Sequence, residues 1–173
     1  MLIQGTKKLL DELNIKPELQ AKKEPLFSWH ANVVTVYRRK AVVLINDKNN
    51  YVIVLRGLKS KEFKNLDEHI LKAMHDTLKG ENIKDEVIDE FMNYSKDIVY
   101  SKTSSRSIIS KLNYACSILP YHEELLEDTS IYKTDMGIKA SQYLVGDGKG
   151  GYITPSEEMK KDINIFFRDR EKK

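Results

Sequence analysis

The sequence predicts an α+β fold, an antiparallel sheet of about four to five strands with helices packed on it. Three observations lead there. Residues 27–57 are the most apolar part of the chain and read as a three-stranded antiparallel meander. Between residues 60 and 120, apolar side chains recur at helical spacing. Strands therefore come first and helices after, which is the order of segregated α+β chains. The chain is read as one domain over residues 1–173. It divides into an N-terminal strand and helix (1–26), the meander (27–57), helices with one strand (58–128), and an irregular segment with a C-terminal helix (129–173).

Each element has a local reason. Leu2, Ile3, Gln4 and Gly5 suit a short strand. Thr6 can cap a helix over 7–13 that keeps Leu9, Leu10 and Leu13 on one side, and Asn14 and Pro17 end it. Residues 18–25 are polar and form a loop. In the meander, Val34 and Val36 share one face while Val33, Thr35 and Tyr37 share the other. Arg38, Arg39 and Lys40 interrupt the run as a connection would. Residues 41–45 are continuously apolar, as in a strand covered on both faces. Asp47, Lys48, Asn49 and Asn50 favour a hairpin turn, because Asn and Asp bond their own backbone and tolerate left-handed dihedrals. Residues 51–55 return.

Ser60 is a helix cap with Glu62 in the first turn. One amphipathic helix is expected over 63–78, with Phe63, Leu66, Ile70, Met74 and Leu78 facing the sheet and Gly80 stopping it. A helix over 84–94 buries Val87, Ile88 and Phe91, and 98–100 add a strand. Ser104 and Ser105 are candidate caps for a helix carrying Ile108, Leu112, Ala115 and Cys116, limited by Pro120. Residues 122–126 add a turn or two, and 129–152 are expected to be irregular, with the glycine run 146–151 on the surface. Thr154-Pro155-Ser156-Glu157 starts a last helix, before a charged tail over 168–173.

Composition narrows the function classes. Lys and Arg exceed Asp and Glu by 29 to 26, a net +3, too mild to argue nucleic-acid binding from bulk charge. The single cysteine, Cys116, excludes an intramolecular disulfide and a cysteine-based zinc cage, and in an apolar stripe it reads as a core residue. The composition suits the cytoplasm, and no run approaches the roughly 18 apolar residues of a membrane span. His69 and His75 are six apart and do not share a metal-binding helix face, and the glycine run matches neither a Walker loop nor a dinucleotide fingerprint. No metal and no cofactor is implied.

Three stretches could carry chemistry. Trp29, His30 and Asn32 can stack, move a proton and donate an amide, with His30 the candidate acid or base. The structural reading takes precedence there, with the Trp29–His30 pair expected at the sheet's rim. Arg38 and Arg39 can clamp a phosphate or carboxylate, or blunt a sheet edge as a solvated turn. Arg106 and Ser107 open a helix where an anion could sit, although capping explains the hydroxyls as well, and Asn113 lies beside that helix's apolar stripe.

Four segments in order, TKKLLDEL (6–13), SWHAN (28–32), RRKAVVLIND (38–47) and KTSSRSIISKLN (102–113), resemble a bacterial family of unknown function. Its members occur alone and as the leading part of plasmid open-reading-frame proteins. The resemblance covers roughly residues 1–158 and rests on motif order. It implies no activity, and its plasmid setting implies a link to mobile elements. The chain is therefore read as a cytoplasmic binding or accessory module. One alternative is a hydrolase acting on a phosphate-containing substrate, with His30 as acid or base and Arg38, Arg39 or Arg106 as anion clamps. Another is a nucleic-acid binder through residues 38–40, Lys7 and Lys8. The expected partner is a protein or a nucleic acid, and not a membrane.

Overall fold

β-Branched and aliphatic residues build the sheet, and helices cover both of its faces. The structure, a computed structural model, describes residues 1–19 and 21–171, with side chains to residue 169. Strands β1 (Leu2–Gly5), β2 (Ser28–Val36), β3 (Arg39–Asn46), β4 (Val52–Leu58) and β5 (Val99–Lys102) form one sheet in the order β4-β3-β2-β1-β5. The antiparallel meander β2-β3-β4 is as expected, with β3 in its middle. β1, however, runs parallel to both β2 and β5. The sheet is mixed, which corrects the antiparallel expectation. The cause is connectivity. β1 reaches β2 through a helical crossover, and β5 follows several helices, so neither neighbour arrives by a hairpin.

The described residues form seven α-helices. They are α1 (Lys7–Leu13), α2 (Ser60–Lys64), α3 (Leu66–Gly80), α4 (Asp85–Ser95), α5 (Arg106–Ile118), α6 (Thr134–Ser141) and α7 (Pro155–Glu171). Thr6 caps α1 by accepting the Leu9 N–H, and Ser105 caps α5 by accepting that of Ile108. The single helix expected over 63–78 is divided at Asn65, and its cap is Lys59, whose backbone N–H reaches the Glu62 carboxylate at 2.9 Å. The expected charged tail is helical through Glu171, and Lys172 and Lys173 lie outside the described residues. Among the described residues no helix is long and apolar enough to cross a membrane.

On one face of the sheet, Trp29, Ala31, Val33, Val42, Leu44 and Ile53 pack with α3, α4 and α7. On the other, Val36, Val43, Ile45, Val52 and Val54 pack with α5. α6, within a segment expected to be irregular, covers the β4 edge together with the residues before it. The Arg56 N–H donates to Ile131 O at 2.9 Å and the Lys133 N–H to Val54 O at 3.0 Å. Gly137 is what lets α6 approach. A Cβ there would stand 3.0 Å from the Val52 carbonyl oxygen. Beyond α6, β6 (Val145–Gly146) and β7 (Tyr152–Ile153) flank the exposed glycine run, where the Asp147 carboxylate accepts the Lys149 and Gly151 N–H groups.

Two expectations about residues 29–40 change. Trp29 and His30 are each 0 % exposed, in the central strand and not at the rim. β1 and β3 flank them on either side, pairing Ile3 and Asn46 with Trp29, and Gln4 and Ile45 with His30. The connection before β3 is also shorter than expected. Tyr37 (φ 47) and Arg38 (φ 63) form a two-residue left-handed turn, and Arg39 already belongs to β3. Neither residue favours that conformation. Buried Arg56 holds it, donating twice to Val36 O at 3.0 and 3.1 Å and once to Leu126 O at 3.0 Å. Its guanidinium also lies over the Tyr37 ring, whose hydroxyl donates to Pro120 O.

Ile70 is 0 % exposed within the α3 core. Ile70→Ala should lower stability by about 2–5 kcal/mol. Gly137→Ala should also lower the urea midpoint, although alanine favours helices, because α6 must back away from β4. An unchanged midpoint for Gly137→Ala would show that this packing is not close.

Candidate functional site

The α5 face of the sheet is apolar toward β4 and polar toward β5. The row of paired residues Ser101, Gln4, His30, Ile45 and Val52 makes the change visible. His30 is the centre of the polar part. Its ring is fully buried, so both nitrogens need partners. Nε2 lies 3.2 Å from the Ser104 backbone nitrogen and 3.3 Å from that of Ser105. Both are N–H donors, so Nε2 must accept and the proton sits on Nδ1. Nδ1–H then donates to Asp47 Oδ1 at 2.7 Å.

Gln4 closes the circuit. Its amide nitrogen donates to Asp47 Oδ2 at 2.6 Å, and its carbonyl oxygen accepts from the Ser104 hydroxyl. The 3.3 Å approach of Gln4 Nε2 to His30 Nδ1 is therefore a contact between two donors and not a bond. Four elements contribute: β1 gives Gln4, β2 gives His30, the β3–β4 turn gives Asp47, and the β5–α5 loop gives Ser104 and Ser105. The turn is itself rigid. The Asn46 side-chain oxygen accepts the Lys48 and Asn49 N–H groups, and the Asp47 N–H donates to Ser28 O at 2.9 Å. α7 braces it from outside, with Asn49 donating to Asp162 at 3.1 Å.

Gln4, Asp47 and Ser104 line a cleft of about 440 Å³. Lys22, Lys23 and Lys102 lie along it, with Glu18 and the apolar Leu19 and Ala21. The Asp47 side chain is 15 % exposed, so its carboxylate meets the cleft while both oxygens stay held. The arrangement inverts a catalytic triad. In a triad the carboxylate orients the imidazole toward the reacting atom. Here the imidazole and an amide orient the carboxylate.

The other candidates are dispersed. Trp29 points into the opposite core, where its indole N–H has no acceptor among the described residues. Asn32 is half-buried, its side-chain oxygen accepting from the Thr6 hydroxyl and the Val33 N–H. Arg38 and Arg39 lie at the far end of the meander, since β2 rises about 20 Å from His30 to Val36. His30 therefore shares no cleft with them. Arg106 and Ser107 are exposed on the first turn of α5, and Asn113 is exposed further along it. Burial pushes the Cys116 thiol up to about 12, which suits a packed residue and not a nucleophile. Sequence reasoning missed Gln4, Asp47 and the three cleft lysines. The available signal was Gln4, a polar side chain inside a short apolar strand.

A family model described as a domain of unknown function, DUF6933, matches residues 2–158, and the chain belongs to that family. No curated protein and no solved structure gave a match.

His30→Ala should leave the Ser104 and Ser105 N–H groups without their acceptor. Amide exchange at both residues should accelerate, and stability should fall by about 1–3 kcal/mol. Unchanged exchange at both would break the assignment of Nε2.

Proposed function

We propose that this member of the DUF6933 family is a binding module for a small anionic ligand that also carries a hydroxyl or amine donor. The observation that supports this most is the Asp47 carboxylate, held by His30 and Gln4 and open to a cleft bordered by Lys22, Lys23 and Lys102. A fixed carboxylate accepts a ligand hydroxyl or ammonium without having to be ordered first. The lysines supply the opposite charge for a phosphate or carboxylate on the same ligand. The geometry favours binding over hydrolysis, because Nε2 of His30 is engaged by backbone N–H groups and reaches the cleft only through Asp47. His30 is then a positioning residue. An accessory role in the bacterial cytoplasm, beside the plasmid-borne relatives that the motif order implies, suits such a module.

Thermal shift with a panel of sugar phosphates and nucleoside monophosphates, beside their unphosphorylated parents, tests this reading. A phosphorylated compound should raise Tm where its parent does not. Lys102→Ala should weaken that ligand about tenfold with stability unchanged, as loss of a charge-assisted contact does. Asp47→Asn should lose binding and also some stability, since His30 and Gln4 lose their shared acceptor. A panel that leaves Tm unmoved throughout would overturn the proposal.

A further inference from the structure

The geometry points to a second ligand site, for an oligophosphate group, at the end of the meander away from Asp47. The Tyr37-Arg38 turn, the start of β3 and the β4–α2 junction border a pocket of about 680 Å³. Arg38, Arg39, Lys40 and Lys59 line it, against one carboxylate, that of Glu62. Glu62 is already occupied by the Lys59 backbone N–H at 2.9 Å. Lys40 is held as well, bonded to Glu12 at 2.6 Å and 5.7 Å above the Phe63 ring centre. Among the described residues, Arg38, Arg39 and Lys59 form no ion pair. Three unpaired cations thus border one cavity that holds a single carboxylate, that of Glu62.

Like charges gathered in this way repel, and a multiply charged anion relieves the repulsion. The backbone cannot spread to relieve it instead. Arg38 is fixed in the left-handed turn, Arg39 is paired with Val36, and Arg56 is bonded to the Val36 carbonyl behind them. Burial and then the Arg39 cation lower the pKa of Arg56, with Tyr37 and Glu123 acting against them. Two guanidinium groups present forked donors matched to phosphate oxygens. Leu58, Phe63 and Ile131 add an apolar lining. This site is separate from the Asp47 cleft and does not depend on it.

Calorimetric titration of the full chain with inorganic tripolyphosphate and with a nucleoside triphosphate tests the proposal. Tripolyphosphate should bind saturably, with affinity that falls as salt is raised. The double variant Arg38→Asn, Arg39→Ser keeps residues compatible with the turn and should weaken binding about tenfold or more. Lys102→Ala, in the other cleft, should leave unchanged the component of tripolyphosphate binding that the double variant loses. Tighter binding of the nucleotide would assign the apolar lining to the nucleoside. The proposal is overturned if tripolyphosphate does not bind, if the double variant binds it equally, or if only a single-stranded oligonucleotide engages the arginines.

Discussion

A buried imidazole must have both nitrogens bonded, and at His30 that requirement joins parts of the chain that are otherwise distant. Asp47 lies 17 residues away and Ser104 lies 74 away. The sheet supplies the framework, since β1, β2 and β5 set Gln4, His30 and Ser101 side by side. The imidazole then ties the β3–β4 turn to the loop that begins α5. Without it, two backbone N–H groups and a carboxylate would meet in a partly dry space with no shared partner, at a cost of kilocalories. One neutral ring thus serves both the packing of α5 and the presentation of Asp47.

Much of the fold was legible because its causes are local. Alternating valines, the Asn/Asp turn after Ile45, the Thr6 cap and the Thr154-Pro155 start each act within a few residues, and each stands where expected. What was not legible depends on distant contacts. Nothing in Leu2-Ile3-Gln4-Gly5 specifies a parallel strand between two others. α6 depends on Gly137 meeting the Val52 carbonyl, which no periodicity records. The left-handed turn at Tyr37-Arg38 lacks Gly or Asn, because Arg56 supplies by hydrogen bonding what those residues supply by conformational freedom. His30 was visible as a candidate but its role was not, since its partners come from two other segments. Trp29, its neighbour, belongs to the opposite side of the sheet, as alternation along a strand requires.

The two proposed ligand sites sit at opposite ends of β3. Arg39 and Lys40 open the strand, Asp47 follows its end, and Ala41 to Ile45 between them are nearly dry. Each end is braced by a polar group from elsewhere in the chain: Arg56 of β4 behind the basic turn, and Asp162 of α7 beneath the acidic one. Along residues 39–47 the charged side chains thus stand at the two ends and the apolar ones between. The apolar strand between fixes their separation.

The parallel placement of β1 has a consequence in time. β2, β3 and β4 pair through short turns, so the meander can assemble from neighbours in sequence. β5 joins the sheet only through β1, where Val99 pairs with Leu2. Closing that gap carries the loop entropy of most of the intervening chain, a cost the hairpins of the meander do not bear. Until β5 docks, Ser104 is not beside His30, and the cleft lacks one wall. The wall of the Asp47 cleft that Lys102 and Ser104 supply thus exists only in a chain whose β5 has docked, however well its meander is formed.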